Sequence, residues 1–182
     1  MLPVVTELTD GFVLLRPWRQ EEAGWYAVQA QDPQIQAQTT HPAHLSEQQV
    51  RDAITRSAAD PQHRGWVICA AGTGELLGNA ALDLAAGAVS YWVAAAARGR
   101  GAATAAVRLM AAYAFTTSDL DQLRLWVKAG NHASARVAEK AGFVRTPELD
   151  DTIDVRGQPW TAQYYTLHRP QPAPTPPSAS TQ

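Results

Sequence analysis

Hydrophobic positions change their spacing along the chain, and each change predicts a different element. Alternating apolar residues over 12–18 predict a first strand, and helical spacing over 20–31 predicts a helix after it. Asp32-Pro33 ends that helix, because the residue before proline is pushed out of the helical region. Ser46 and Gln49 have the spacing of a capping box, which predicts the start of a second helix.

The middle of the chain carries three apolar runs that are joined by short turns. The runs cover 66–71, 76–84 and 89–93, with a turn at Gly72-Thr-Gly74 and another around Gly87. Short apolar runs bounded by glycine are typical of strands. Because the connections are short, the three strands are predicted to form an antiparallel meander.

The last third of the chain returns to a mixture of helices and strands. Helices are predicted from the apolar stripe Ala102, Ala106, Leu109 and Tyr113, and over 131–141 before Gly142. Strands are predicted over 123–128, 143–145 and 163–168, the last two flanking a turn at Arg156-Gly157. The order β-α-α-β-β-β-α-β-α-β-β predicts an α+β domain with one mixed, mostly antiparallel sheet flanked by helices.

Composition divides the chain into a domain and a tail. With 46% hydrophobic residues among 182, the chain is long enough for one domain with a buried core, which we place at 1–168. The segment 169–182 contains five prolines and no large apolar residue. Since such a segment buries too little surface to offset the entropy lost on ordering, a disordered proline-rich tail is expected.

Charge and segment composition narrow the function classes. The net charge of −2 argues against nucleic acid or an anionic membrane as the main partner. The start lacks the pattern of a signal peptide, and no run reaches the roughly 20 apolar residues of a membrane helix, so a cytoplasmic protein is expected. Cys69, the single cysteine, lies in an apolar run and is expected to be a buried thiol.

Arg98-Gly-Arg-Gly-Ala-Ala103 lies between a predicted strand and a predicted helix. The first amides of a helix lack partners within it and carry the positive end of the helix dipole, so this turn is suited to hold phosphate. A P-loop is excluded, because no lysine lies near the turn. The dinucleotide fingerprint fits Gly99 and Gly101 but has Thr104 at its third glycine, with Asp121 as a ribose ligand. A glycine-rich turn without ligand remains the alternative.

The same turn resembles the acetyl-CoA loop of the GCN5-related N-acetyltransferase (GNAT) family, Gln/Arg-x-x-Gly-x-Gly/Ala. Arg98, Gly101 and Ala103 occupy its defined positions. The runs LLRPWRQEEA, LLGNAALDL, YWV and NHASARVAEKAGF are similar to the ribosomal-protein-alanine acetyltransferase branch, over about 11–168 and in the same order. The resemblance implies a GNAT-like fold, splayed between the predicted strands 89–93 and 123–128. It also implies acetyl-CoA as co-substrate and no metal.

The resemblance also implies residue roles. It places pantetheine against the backbone of Val93 and the thiol near Asn131 and Ser134, with Ser134 protonating the leaving thiolate because Ala138 occupies the position of the family's usual tyrosine acid. It implies that the pyrophosphate is wrapped by Arg98, Gly99, Arg100, Gly101, Ala102 and Ala103. Asn131 also suits a helix N-cap, and Ser134 the first turn of that helix, so both structural roles stay open.

The implied reaction is direct transfer of the acetyl group to a primary amine, either a protein N-terminus or a small molecule. A strand amide near Asn79 or Ala80 is expected to stabilise the oxyanion. A homodimer is left open. The alternatives are a non-catalytic acyl-CoA-binding module and a nicotinamide-dinucleotide-binding protein.

The sequence also predicts the surroundings of several histidines, acidic residues and tryptophans. His41 and His44 are expected in a mobile, solvated loop rather than at a metal. A solvated loop is also expected for the acidic residues Glu148, Asp150, Asp151 and Asp154. Trp25 and Trp160 are candidates for an acceptor groove, whereas Trp66, Trp92 and Trp126 are expected in the core.

Overall fold

The computed structural model describes residues 7–171, which form one sheet with helices on both faces. The strands are β1 (Leu8–Thr9), β2 (Val13–Pro17), β3 (His63–Ala70), β4 (Leu76–Asp83), β5 (Ala88–Val93), β6 (Gln122–Lys128), β7 (Val144–Arg145), β8 (Asp151–Val155) and β9 (Gln158–His168). The helices are α1 (Ala23–Ala30), α2 (Pro33–Gln38), α3 (Glu47–Ala59), α4 (Ala102–Thr117) and α5 (His132–Lys140). Strand order in the sheet is β1-β2-β3-β4-β5-β6-β9-β7, with β8 paired to β9.

Strands β5 and β6 diverge in the middle of the sheet. They are parallel and pair at a single position, Ala88 with Arg124, whereas β5 pairs with β4 along its whole length. Gly78 holds β4 close to the end of β5, because a Cβ atom there would lie 2.2 Å from the Trp92 carbonyl oxygen. The sheet is therefore open between the ends of β5 and β6, which confirms the predicted splay and the α+β fold.

The main core lies between the sheet and the face covered by α4 and α5. Alternate residues of β3, Trp66 and Ile68, belong to it together with Met110 of α4 and Leu123 of β6. A smaller cluster lies on the opposite face, where α1 packs on α3 through Ala23, Ala27 and Val50. The two faces of the sheet thus carry different helix pairs, and the gap between β5 and β6 connects them.

Helix α2 is absent from the sequence prediction. Asp32-Pro33 does end the preceding helix, but the same two residues also begin a new one. The Asp32 carboxylate accepts hydrogen bonds from the amides of Gln34 and Ile35, and Pro33 occupies the first helical position. Aspartate at the N-cap and proline at the next position are both favoured at helix starts. The residues between α1 and α3 are therefore more ordered than predicted.

The last hairpin also differs from the prediction. Strand β9 starts at Gln158, earlier than the predicted 163, and β8 was missed. The predicted turn at Arg156-Gly157 is confirmed, and it joins the two strands with both residues at positive φ. The acidic residues Asp151 and Asp154 belong to β8 rather than to a solvated loop, but both are exposed. Alternation in β8 is weak because only Val155 is buried, so the pattern carried little strand signal.

Arg169, which the predicted boundary assigned to the tail, is anchored on the domain. Its guanidinium donates to the carbonyls of Phe115, Ser118 and Leu120 at and just after the end of α4, and its backbone amide donates to the Asp121 carbonyl. An arginine beside the last carbonyls of a helix satisfies orphan acceptors and favours the helix dipole. The ordered domain therefore extends at least to Arg169, and the predicted tail from 172 onward lies outside the described residues.

We expect Arg169→Ala to lower the stability of the domain by about 1–2 kcal/mol, since charge-assisted hydrogen bonds to three carbonyls are lost. In a domain of this size, that corresponds to a fall in melting temperature of roughly 2–8 °C. Deleting 170–182 keeps Arg169 and is expected to leave the melting temperature unchanged, because the segment contains little apolar surface. Equal melting temperatures for Arg169→Ala and wild type would show that this side chain does not stabilise the domain.

Candidate functional site

A cavity of about 430 Å³ lies where β5 and β6 separate. Its walls come from the end of β5, the turn before α4, the first turn of α4, helix α2 and the start of α5. Of the site residues predicted from sequence, the cavity brings together Val93, Arg98, Gly99, Gly101, Ala102, Ala103, Asn131 and Ser134. Arg100 does not line it. We call this space the first cavity.

The amino end of α4 opens into the first cavity. Gly101 is the N-cap in the left-handed conformation with φ 85°, and no side chain caps the helix. The first amides of a helix have no acceptors within it, and here they belong to small residues, Ala102 and Ala103, that line the cavity. A helix of 16 residues directs its positive dipole end to the same place. This part of the cavity can bind an anion through backbone groups.

The two arginines of the turn are held by acidic partners that lie far away in sequence. Arg98 donates to the Asp32 carboxylate at 2.8 Å and so ties the turn to the start of α2. Burial raises the pKa of Asp32, but hydrogen bonds from Arg98 and from the Ile35 and Gln34 amides outweigh this effect and lower it. Arg100 is half exposed, lies 3.3 Å from Glu75 and points away from the first cavity. Arg100 was expected to help wrap the pyrophosphate, but in this structure its side chain pairs with Glu75 and does not line the first cavity.

Asn131 and Ser134 take separate parts at the start of α5. The Asn131 side chain accepts from the Ser134 amide at 3.2 Å, which makes Asn131 the N-cap. The Tyr91 hydroxyl donates to the Ser134 carbonyl at 3.4 Å, and burial raises the pKa of Tyr91 to about 12. Both backbone groups of Ser134 are thus in use, whereas its hydroxyl makes no hydrogen bond within residues 7–171. Ser134 lines the first cavity, and its hydroxyl does not cap the helix.

A second cavity of about 540 Å³ lies on the opposite face of the sheet, between α3 and strands β3 and β4. Its walls are mainly apolar and include Trp18, Tyr26, Leu45, Val50 and Ile54. Asn79 of β4 lines it too, and its side-chain oxygen accepts from the Trp18 indole at 3.0 Å. No local sequence pattern predicts this cavity, because its walls come from distant segments, as with Trp18 and Asn79, which are 61 positions apart.

Trp92 separates the two cavities. It lines the first cavity, is 5% exposed and points to the α1 face, where it stacks on Trp25 at 6.0 Å between ring centroids. Tyr26 and His41, which line the second cavity, meet the same ring edge-on. Trp92 is buried as predicted, and Trp25 belongs to this aromatic cluster. Trp160 lies instead beneath Lys128, with the ammonium 3.8 Å from the ring centroid.

The sequence suggested a solvated loop for His41, and the structure differs from this expectation. Arg156 donates to the carbonyls of Gln36, Thr39 and His41, and Lys128 donates to the carbonyl of Ala37. These contacts draw the segment after α2 onto the domain, across 115 positions in the case of His41 and Arg156. His44 is exposed, as expected. The prediction failed for His41 because the residue that holds the segment lies in a distant hairpin.

His41 forms a polar pair with Tyr26 beside Trp92. The Tyr26 hydroxyl lies 3.3 Å from His41 Nε2. Burial lowers the pKa of His41, and the positive charge of Arg156 lowers it further. Burial raises the pKa of Tyr26 to about 12, and the nearby Trp92 indole offsets a small part of this rise. The indole N–H itself has no hydrogen-bond partner within the described residues. At neutral pH the imidazole is therefore uncharged and able to accept a proton.

Two further features concern ligands. Gln38 Oε1 is buried and has no hydrogen-bond partner within the described chain, and Gln38 lines the first cavity. A buried acceptor beside a cavity is typical of a site where a ligand supplies the donor.

Across residues 7–171, no group of three or more His, Cys, Asp or Glu is arranged for a metal ion, and no helix is long and apolar enough to cross a membrane.

The oxyanion role expected for an amide near Asn79 or Ala80 does not fit the sheet. Strand β4 is paired on both sides, with Asn79 opposite Val67 in β3 and opposite Trp92 in β5. Its amides are therefore used in the two ladders. The edge of β5 that faces β6 is unpaired beyond Ala88, so free backbone donors in this region belong to β5.

Comparison with known proteins gives consistent matches. The model of the acetyltransferase (GNAT) domain matches residues 13–144. A Bacillus subtilis protein with the name "Putative ribosomal N-acetyltransferase YdaF" is 33% identical over 79 residues, and this match spans 43% of each chain.

Solved structures extend the similarity to nearly the whole chain. Spermidine N-acetyltransferase from Vibrio cholerae, in complex with CoA and spermine, superposes with a TM-score of 0.74 at 16% identity, covering 87% of this chain and 96% of the other. Mycobacterium smegmatis RimJ, in complex with CoA-disulfide, gives 0.72 at 19% identity, covering 89% and 85%.

Proposed function

The chain belongs to the acetyltransferase (GNAT) family, and from this premise we propose that it transfers the acetyl group of acetyl-CoA directly to a primary amine. The observation that carries the proposal is the first cavity, where an uncapped helix N-terminus adjoins the gap between β5 and β6. The nicotinamide-dinucleotide alternative is set aside, since β5 ends an antiparallel meander rather than beginning a parallel βαβ unit.

The first cavity suits each part of the donor. The amides at the start of α4, around Gly101 to Ala103, would hold the pyrophosphate. The unpaired edge of β5 near Val93 would pair with the amides of pantetheine, as an added strand does at a sheet edge. Gln38 Oε1 offers an acceptor for a ligand N–H group. Arg98 contributes by fixing the turn to α2.

The chemistry then needs one acid and one base. The amine nitrogen attacks the thioester carbonyl carbon, the C–S bond breaks, and the sulfur leaves as a thiolate. Ser134, at the start of α5 with an unused hydroxyl, is the candidate donor to that sulfur. The nitrogen must lose a proton, and His41 is the uncharged imidazole at the junction of the two cavities.

His41 is better placed for this task than the other titratable groups of the second cavity. Asp60 and His63 lie toward the far end, because His63 pairs with Asp83 whereas Asn79 pairs with Val67. Four residues of strand correspond to about 13 Å. An amine that reaches the thioester beside Asn79 and Trp92 would have His41 as the nearer proton acceptor.

Replacing Gly101 tests the donor site. Gly101→Val places a branched side chain beside the amides of α4, and we expect acetyl-CoA affinity to fall at least tenfold, about 1.4 kcal/mol. The left-handed backbone at φ 85° adds strain, so Gly74→Val is the matched control, with φ 73° and no atom within 4 Å of the added Cβ. Calorimetry should show weakened binding in Gly101→Val alone. Equal affinity in both variants would exclude this turn as the phosphate site.

The proposed activity is tested by thiol release from acetyl-CoA with a panel of primary amines and N-terminal peptides. We expect release that depends on the amine, with the acetylated amine as product. Binding of acetyl-CoA without release for any amine would favour the non-catalytic acyl-CoA-binding module instead.

A further inference from the structure

The second cavity carries information about the acetyl acceptor. It adjoins the first cavity at Trp92 and Asn79, on the face of the sheet opposite α4. A donor bound with its pyrophosphate at α4 and its pantetheine along β5 would carry its acetyl end toward the part of the first cavity that Trp92 lines. An amine that occupies the second cavity therefore meets the thioester beside His41.

We propose that the second cavity binds the acceptor as a primary amine carried on an uncharged, apolar body. This inference rests on the proposed acetyl transfer and specifies its substrate class. The volume of about 540 Å³ suits a small molecule or the first residues of a peptide.

The lining determines this class. Between the junction and the far end, the walls are the apolar side chains of Leu45, Val50 and Ile54 together with the methyl of Ala81. An ammonium group placed against these four side chains would lose hydration without gaining a hydrogen-bond partner from them, which is unfavourable. A hydrocarbon or aromatic body gains about 25 cal/mol for each Å² that it buries.

Charges in the lining occur only at the far end. Asp60 is the single carboxylate among the lining residues, and Arg56 and His63 lie in the same region. One carboxylate oxygen of Asp60, Oδ1, accepts a hydrogen bond from the Gln62 amide at 2.8 Å. A polyamine would place its internal ammonium against the apolar walls, which is unfavourable, and its distal ammonium at the far end, where Asp60 attracts it and Arg56 repels it.

Competition among amines tests the proposal with the full chain and acetyl-CoA. We expect kcat/KM for 2-phenylethylamine, or for leucinamide as a model of an apolar N-terminus, to exceed that for spermidine at least tenfold. If spermidine or aspartamide is the better substrate, the proposed substrate class is wrong while the acetyl transfer stands. If none of the amines releases thiol, the proposed function itself fails.

A cavity-filling variant locates the effect. Ala81→Phe should raise the KM for the apolar amine at least tenfold without changing acetyl-CoA affinity, because the added ring occupies the second cavity. Ala85→Phe is the matched control, since it makes the same change at an exposed position in the turn after β4 that does not line the cavity. Melting temperatures establish that both variants fold. An unchanged KM in folded Ala81→Phe would place the acceptor elsewhere.

Discussion

His41→Gln is expected to lower kcat/KM for the amine about a hundredfold while acetyl-CoA affinity stays unchanged. General bases contribute roughly 10²–10⁴ in rate. Because water can take part of the proton from the amine, we expect the loss of rate to lie at the lower end of this range. Glutamine keeps a polar group near the Tyr26 hydroxyl but cannot take a proton. The measurement is steady-state kinetics of thiol release, with calorimetry for the donor.

The pH dependence separates catalysis from packing. Burial and Arg156 lower the pKa of His41, so the wild-type imidazole is uncharged at neutral pH and becomes protonated only below its usual value of about 6.5. Wild-type kcat/KM should therefore fall on the acid side, below pH 6.5. The other groups facing His41 are Tyr26, whose pKa of about 12 lies outside this window, and the distant Asp60, Arg56 and His63.

His63→Gln is the matched control, because His63 lines the same cavity at its far end. The acid limb should persist in His63→Gln and disappear in His41→Gln. If both variants keep the wild-type profile, His41 is a packing residue and another group takes the proton.

Ser134→Ala should lower kcat about ten- to a hundredfold with little change in acetyl-CoA affinity. A donor to the leaving sulfur acts chiefly in the transition state, so its loss appears in kcat rather than in ground-state binding. The CoA thiolate is a moderately good leaving group, which keeps the effect toward the lower end of acid catalysis. The structure favours this role over capping, since Asn131 caps α5 through the Ser134 amide and leaves the hydroxyl unused.

Ser46→Ala shows what the loss of a true serine cap looks like. The Ser46 hydroxyl accepts from the Gln49 amide at 3.2 Å at the start of α3, and its removal should cost about 1 kcal/mol with kcat kept. Ser134→Ala should show the opposite pattern, with kcat reduced and melting temperature kept. A Ser134→Ala enzyme that melts early and works at the wild-type rate would overturn the acid role.

Local patterns predicted most of the fold. The meander, α4 and the short α5 follow from apolar spacing and from glycines at their ends, and the capping box at Ser46 and Gln49 is present as predicted. Helix α2 and strand β8 were missed because they are short and their apolar periodicity is weak. Cap chemistry at Asp32-Pro33 was the available signal for α2.

The candidate site likewise has a part that the sequence could predict and a part that it could not. The turn from Arg98 to Ala103 could be recognised because phosphate binding depends on consecutive backbone amides, which a local motif encodes. The direction of Arg100 could not, since Glu75 becomes its partner only in the folded chain. The place of His41 depends on Arg156, and the second cavity depends on Trp18 meeting Asn79. Such contacts join distant segments and leave no periodic signal.

A crystal structure with bound acetyl-CoA tests the central claim most directly. We predict the pyrophosphate within hydrogen-bonding distance of the amides at the start of α4, and pantetheine along the unpaired edge of β5. The acetyl carbon should lie at the junction of the two cavities, between Ser134 and His41. Acetyl-CoA bound away from the gap between β5 and β6, or with its acetyl group directed away from Trp92, would contradict the account.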